Sequence, residues 1–169
     1  MSDTSKVAMQ LAALPLFKYF DRAVLSSFVE GGELSTYRGG DTVIREAELS
    51  PDFFVVVSGS VHVSVRKDDK DVFICTIGPG EIFGEAGLFS RIRRTATVTA
   101  DDDASVLRLG RRHVLAFVKN DPEAGVKFLM VVIFSLLRKL REANQELAFE
   151  RKFDIGQDDI DSIIADIMS

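Results

Sequence analysis

The sequence has few of the side chains on which metalloenzymes and disulfide-rich proteins depend. Cys75 is the only cysteine among its 169 residues, which excludes an internal disulfide and a cluster of thiolate metal ligands. His62 and His113 are the only histidines. We predict that His62 lies on a strand, that His113 precedes a helix and that both are surface residues. We therefore expect that the protein is not an enzyme and has no catalytic residue, no metal site and no cofactor.

Long apolar segments and an excess of positive charge are also missing. The longest apolar stretch, residues 128–137, is interrupted by Ser135 and is much shorter than the roughly 20 residues that cross a bilayer. The first twenty residues lack the apolar core and cleavage site of a signal peptide. The net charge of −5 repels nucleic acid. We expect a cytoplasmic protein that contacts neither membranes nor DNA directly.

Hydrophobic periodicity divides the chain into a helical start, an all-β middle and a helical end. Residues 1–33 have apolar positions at helical spacing, whereas residues 34–110 contain short runs separated by turn residues, which is typical of strands. Residues 60–66 alternate valines with polar residues, and residues 53–57 are apolar throughout, which predicts burial on both faces. A β-sandwich, a jelly roll and a barrel all fit this pattern.

Residues 111–151 are predicted to form a hinge and a long helix. Asp121 is a suitable N-cap, and Pro122 suits the first helical position. Apolar residues then recur at alternating spacings of three and four, at Val126, Leu129, Ile133, Leu136, Leu140, Ala143 and Leu147. Such a stripe predicts a homodimer through this helix, although a helix packed only on its own domain also fits.

Residues 152–169 form an acidic tail with apolar residues on one helical face, at Ile160, Ile163, Ile164 and Ile167. The tail is interpreted either as a docking peptide for a partner protein or as a small helix folded back on its own dimer.

Residues 83–98 concentrate groups that suit a ligand with a phosphate and a hydroxyl. Gly84 permits close backbone approach, and residues 84–90 are predicted to form one helical turn whose N–H groups attract an anion. Glu85 offers a carboxylate to a hydroxyl, and Arg94 offers a planar, charged fork to a phosphate. By composition alone, however, the three arginines of this segment indicate a solvated basic loop.

The same segment, FGEAGLFSRIRRTATV, resembles without a gap the phosphate-binding cassette of the cyclic nucleotide-binding domain family. That cassette has Phe-Gly-Glu, a few apolar residues, then Arg followed by a small residue and Ala. Four further segments resemble other segments of that family and follow one another in the same order: LPLFKYF, YRGGDTVIREAE, VVVSGSVHVSV and RRHVLAFVKNDPE. The chain is identified as a stand-alone, bacterial-type member without a helix-turn-helix.

The resemblance implies an α+β, mainly β fold: an eight-stranded antiparallel β-roll or jelly roll with N-terminal helices and a long C-terminal helix. It implies that Arg94 pairs with the cyclic phosphate and that Glu85 binds the ribose 2′-hydroxyl. The ligand-binding residues so implied are Gly84, Glu85, Ala86, Gly87, Arg94, Thr95 and Ala96. Val63 and Ile74 either line the base pocket or belong to the ordinary core.

Thr95 bears on the choice of ligand, because it resembles both members that prefer guanine and bacterial members that bind cAMP. We rank cAMP first and cGMP second. In the family the C-terminal helix caps the base, and the candidates here are Arg138, Arg141 and Asn144, unless they are simply solvated. The chain also departs from the family at Ala47, where glycine is frequent.

These expectations describe a sensor in which the nucleotide moves the hinge segment, residues 111–120, against the roll. The long helix then changes its angle at the dimer interface and relays the signal to a downstream protein partner. The alternative is a degenerate module of the same fold that binds no nucleotide and serves as a scaffold or dimerisation unit.

Overall fold

Eight strands and five α-helices make up the computed structural model, which describes residues 3–90, 92–147 and 166. The helices are α1 Asp3–Ala12, α2 Arg22–Glu30, α3 Ala86–Phe89, α4 Arg111–Asn120 and α5 Pro122–Leu147, with a 3₁₀ turn at Pro15–Phe17. The strands are β1 Gly32–Tyr37, β2 Thr42–Ile44, β3 Phe53–Ser58, β4 Val61–Lys67, β5 Lys70–Ile77, β6 Ile82–Phe83, β7 Thr97–Ala100 and β8 Ala104–Leu109.

The strands form two four-stranded sheets with the orders β1-β8-β3-β6 and β2-β7-β4-β5, and every pair is antiparallel. The predicted β-roll with N-terminal helices and a long C-terminal helix is therefore confirmed. The first strand begins at Gly32 rather than at residue 34. The predicted end of the long helix near residue 151 and the acidic tail, residues 152–169, fall outside the described part of the chain, apart from residue 166.

β3 is buried on both faces, as its apolar sequence predicts. Phe53, Val55 and Val57 belong to the cluster under the helices. Phe54 and Val56 belong to a second cluster inside the roll, where the ring of Phe54 stacks on that of Phe83 with centroids 5.0 Å apart. β3 thus joins the helical layer to the strand that leads into residues 83–98.

The first half of α5 belongs to the core under the helices. Asp121 caps the helix as predicted, because its Oδ1 accepts a hydrogen bond from the Ala124 amide at 3.0 Å. Phe128 is 1% exposed and contacts the rings of Phe28, Phe53 and Phe117 at centroid distances of 5.4, 5.4 and 6.4 Å. The early part of α5 is therefore held by aromatic packing against α2, α4 and β3.

The alternation predicted for residues 60–66 holds only in part. Val61 is buried, but so is Ser64. The pairing of β4 with β5 shifts between Val63 and Ser64, so that Cys75 and Phe73 are the partners and Ile74 is an extra residue. The bulge therefore lies in β5, whereas residues 61–64 of β4 pair with β7 in unbroken register.

Replacing Phe128 by alanine removes the ring shared by α2, α4, α5 and β3. We expect Phe128→Ala to lower the free energy of unfolding by about 3–5 kcal/mol, because the ring is fully enclosed. Urea denaturation measures this loss. Leu115→Ala on the exposed side of α4 is the control, with an expected change within about 0.5 kcal/mol. Equal losses in both variants would contradict this role of Phe128.

Candidate functional site

A cavity of about 480 Å³ lies between the second sheet, residues 83–98 and the later part of α5. Its volume falls in the range of small-molecule sites. The structure brings all seven predicted ligand-binding residues to its wall: Gly84, Glu85, Ala86, Gly87, Arg94, Thr95 and Ala96. Val63 and Ile74 line it as well, together with Ile44 and Val98 from the same sheet. One wall of the cavity is therefore the apolar surface of the second sheet, and another wall carries both charged residues of the predicted site, Glu85 and Arg94.

Gly84 makes the turn that follows β6. Its φ of +76° lies in the left-handed region, and a Cβ there would come within 2.9 Å of both Arg94 Nη1 and the Asp52 carbonyl oxygen. The Gly87 amide then donates to the Gly84 carbonyl at 3.0 Å. The helical turn predicted from residues 84–90 forms as α3, with Glu85 at its N-cap position.

Arg94 is the most deeply buried charge of the site, at 8% exposure. Its Nη1 donates to the Gly84 carbonyl at 3.2 Å. Its Nη2 donates to the Asp52 carbonyl at 2.6 Å and to Ser50 Oγ at 3.1 Å. Nε is buried without a hydrogen-bond partner. The interpretation of this arginine as part of a solvated loop is therefore wrong.

Burial lowers the pKa of the Arg94 guanidinium below its ordinary value, and the carboxylates of Asp52, Glu48 and Glu85 oppose that shift. Arginine titrates so far above neutrality that it stays charged. A largely buried cation at the wall of an open cavity favours an anionic ligand.

A second set of side chains holds the loop before β3, which accepts hydrogen bonds from Arg94 through Ser50 and Asp52. Asp52 Oδ2 accepts from Arg108 Nε at 2.8 Å and from Ser50 Oγ at 3.1 Å. Arg108 Nη2 lies 2.7 Å from the same oxygen. The loop before β3 is thereby joined to β8. Ser50, Asp52 and Arg108 were not predicted from the sequence, because nothing in their local pattern marks them.

Glu85 contacts α5 through a lysine that was likewise not predicted from the sequence. Lys139 Nζ donates to Glu85 Oε1 at 2.8 Å and to the Ile82 carbonyl at 2.9 Å. In the sequence Lys139 stands beside Arg138 and close to Arg141, so nothing in the local pattern marks it out from the other basic residues of the helix. The helical candidates Arg138, Arg141 and Asn144 are not among the residues that line the cavity, and Arg138 instead pairs with Glu81.

Ala47 has a φ of 65°, in the left-handed region that favours glycine. This conformation accounts for the frequency of glycine there in the family it resembles. The Ala47 amide donates to the Arg94 carbonyl at 2.8 Å, and its own carbonyl accepts from Arg93 Nη1 at 2.9 Å. The loop after β2 is thus bonded directly to the segment that carries Arg94.

Neither histidine takes part in the site. His62 Nδ1 lies 2.6 Å from Asp101 Oδ1, and His113 is half-buried with its Nε2 donating to the Phe28 carbonyl at 2.9 Å. Both histidines, predicted to be surface residues, are thus half-buried, and each has a hydrogen-bond partner. Among the described residues, no three His, Cys, Asp or Glu side chains are grouped so that they could hold a metal ion. None of the described helices is long and apolar enough to cross a membrane.

The family model of the cyclic nucleotide-binding domain matches residues 34–121, more than half of the sequence. The chain belongs to the cyclic nucleotide-binding domain family. The match includes the whole of the segment with Glu85 and Arg94.

Curated relatives are longer proteins of several kinds. The chain is 27% identical over 137 residues to the potassium channel KAT3 of Arabidopsis thaliana, covering 80% of this chain and 21% of the channel. It is 24% identical over 139 residues to a CRP-like cAMP-activated global transcriptional regulator of Mycobacterium tuberculosis, covering 82% and 60%. The chain thus spans 60% or less of the length of these two relatives.

The fold is shared with solved structures. A cyclic nucleotide-binding domain from Methylobacillus flagellatus superposes with a TM-score of 0.75 at 17% identity, covering 90% of this chain and 86% of that one. At this identity the likeness concerns the fold alone.

The left-handed turn at Gly84 leads to a matched pair of substitutions. Gly40 has a φ of +90° and open space where a methyl group would lie, so Gly40→Ala introduces backbone strain alone, of about 1–2 kcal/mol. Gly84→Ala adds contacts with Arg94 and Asp52, and we expect it to lower the free energy of unfolding by at least about 1 kcal/mol more. Urea denaturation compares the two. Equal losses would refute the close packing of Arg94 on Gly84.

Proposed function

We propose that this protein is a sensor that binds a 3′,5′-cyclic nucleotide, with cAMP as the first ligand and cGMP as the second. The observation that carries the proposal is the buried Arg94 cation, which shares one cavity with the Glu85 carboxylate and an apolar wall. Family membership supports the same ligand class. The function is regulatory and involves no catalysed reaction.

The groups of the cavity suit the three parts of such a ligand. Arg94 supplies positive charge at the cavity wall for the cyclic phosphate. Glu85 supplies a carboxylate acceptor for the ribose 2′-hydroxyl. Val63, Ile74 and Val98 supply apolar surface for the flat faces of the base.

The ranking of the two nucleotides depends on finer features. Thr95 lines the cavity and has a hydroxyl for the base, which suits either purine. The mycobacterial relative is named as cAMP-activated, and we extend that preference to this chain. Direct DNA binding is not part of the proposal, because the net charge is −5. The single cysteine continues to favour a cytoplasmic setting.

α5 is the element through which we propose that the signal leaves the site. Its early part is held in the core by Phe128, and its later part lines the cavity with Leu136, Lys139, Leu140 and Ala143. A ligand in the cavity therefore contacts the helix directly. Such contacts can shift the helix from one position to another if they are stronger in one position than in the other. A downstream protein partner receives the signal.

A second copy of this chain is the proposed occupant of the outer face of α5. Phe128, Val131, Val132 and Ser135 are buried against the chain's own domain. Six large apolar residues of the helix are at least 37% exposed, namely Val126, Leu129, Ile133, Leu136, Leu137 and Leu140, whereas Met130 and Phe134 are half-buried. Leu136 and Leu140 also line the cavity. Packing on its own domain therefore leaves most of the predicted heptad stripe uncovered. The spacing suits a second helix with the same stripe.

Ligand binding is tested by thermal melts with cAMP and with cGMP. At a hundredfold excess over the dissociation constant, binding to the folded state alone stabilises the protein by about 2.7 kcal/mol. Arg94→Gln is expected to abolish the shift, because the phosphate loses its cation. Arg112→Gln, an exposed arginine on α4, is expected to keep it.

Melts that neither nucleotide shifts, in a wild-type protein that remains folded, would refute the sensor. If such a protein still forms the dimer, the result would favour the alternative of a non-binding scaffold.

The dimer is tested by light scattering of the unliganded protein. Ile133→Glu is expected to convert a dimer into a monomer, because it places a charge in the middle of the proposed helix pair. Leu115→Glu on the exposed side of α4 is the matched control and is expected to remain dimeric. A monomeric wild type at high micromolar concentration would refute the helix pair.

A further inference from the structure

Lys139 joins α5 to both ends of the turn that carries Glu85. Its ammonium donates to Glu85 Oε1 at 2.8 Å and to the Ile82 carbonyl at 2.9 Å. The Lys139 side chain is 22% exposed and that of Glu85 is 13% exposed, so the pair is largely shielded from water. A charge-assisted hydrogen bond in such surroundings is stronger than an exposed ion pair and restrains the direction of the carboxylate.

The contact is compatible with an occupied site. The cavity of about 480 Å³ is open while the Lys139–Glu85 bond is formed, and both residues line it. A carboxylate has roughly four acceptor positions, of which the ammonium uses one. Glu85 can therefore hold Lys139 and a ligand hydroxyl at the same time.

Arg138 supplies a neighbouring tether of a different kind. It forms an ion pair with Glu81, whose other carboxylate oxygen accepts from the Gly78 amide at 2.6 Å. Arg138 therefore ties α5 to the loop before β6 without touching Glu85. Arg138 thus attaches the same part of α5 through an ion pair but neither lines the cavity nor contacts Glu85, which makes it the control for Lys139.

We propose that Lys139 is a positioning residue of the ligand site that acts through Glu85. Lys139 directs the Glu85 carboxylate towards the cavity. It also holds the later part of α5 against β6, so that the helix closes this side of the cavity. A ligand hydroxyl on Glu85 then strengthens the attachment of α5, and this is the differential contact that a signal through the helix requires. This inference depends on the proposed function, because it assigns the hydroxyl to the ribose of a cyclic nucleotide.

The experiment is calorimetric titration of the full chain with cAMP and with 2′-deoxy-cAMP, which lacks the hydroxyl. Lys139→Met is expected to weaken cAMP binding roughly tenfold, the typical effect of losing one charge-assisted hydrogen bond. It is expected to weaken 2′-deoxy-cAMP binding by no more than about twofold, because that ligand makes no bond to Glu85. Lys139→Arg is expected to restore most of the preference for cAMP, and Arg138→Met to keep it.

The ratio of the two affinities is decisive, because both ligands are measured on the same folded protein and carry the same charge. Equal weakening of both ligands by Lys139→Met, or an equal fall of the ratio in Arg138→Met, would overturn the inference. A rise of the ratio would also overturn it, because Lys139 would then compete with the hydroxyl.

Titration of the wild-type protein distinguishes a failure of this inference from a failure of the proposed function. Cyclic nucleotide binding that depends on Arg94, with a ratio that Lys139→Met leaves unchanged, would overturn the role of Lys139 alone. A folded wild type that binds neither nucleotide would overturn both.

Discussion

The buried guanidinium of Arg94 imposes conditions on three separate parts of the chain. An ion removed from water loses several kcal/mol of solvation, so the fold has to supply acceptors in its place. It does so with the carbonyls of Gly84 and Asp52 and the hydroxyl of Ser50. Glycine at residue 84 lets the backbone approach, and Arg108 holds the loop with Asp52. The turn before α3, the loop before β3 and the strand β8 are therefore mutually dependent.

α5 combines two environments along one rigid element. Phe128 fixes its early part in the aromatic core, and Lys139 attaches its later part beside the cavity. A helix transmits a displacement along its length, because its backbone hydrogen bonds hold successive turns together. The same helix also carries exposed apolar residues, such as Val126, Leu129 and Ile133, that do not line the cavity, so the cavity wall and an exposed apolar surface belong to one element.

Features that depend on nearby residues were predictable from the sequence. The apolar run at residues 53–57 predicted a strand buried on both faces, and Asp121 with Pro122 predicted the start of α5; both are confirmed. Burial was less predictable: Ser64, on the polar side of β4, is buried, and His113 is half-buried because α4 packs beside Phe28. Periodicity indicates which face of an element is buried, but it does not indicate the partner or the register.

The sequence by itself determined the group of candidate residues from Gly84 to Ala96, because the turn, the carboxylate and the arginine lie within one short segment and resemble a known cassette. Only the tertiary structure decided what surrounds them. Ser50, Asp52, Arg108 and Lys139 make contacts that span 42 to 56 residues of the chain. Such contacts follow from the pairing of β3 with β8 and the packing of α5, which local propensities do not encode.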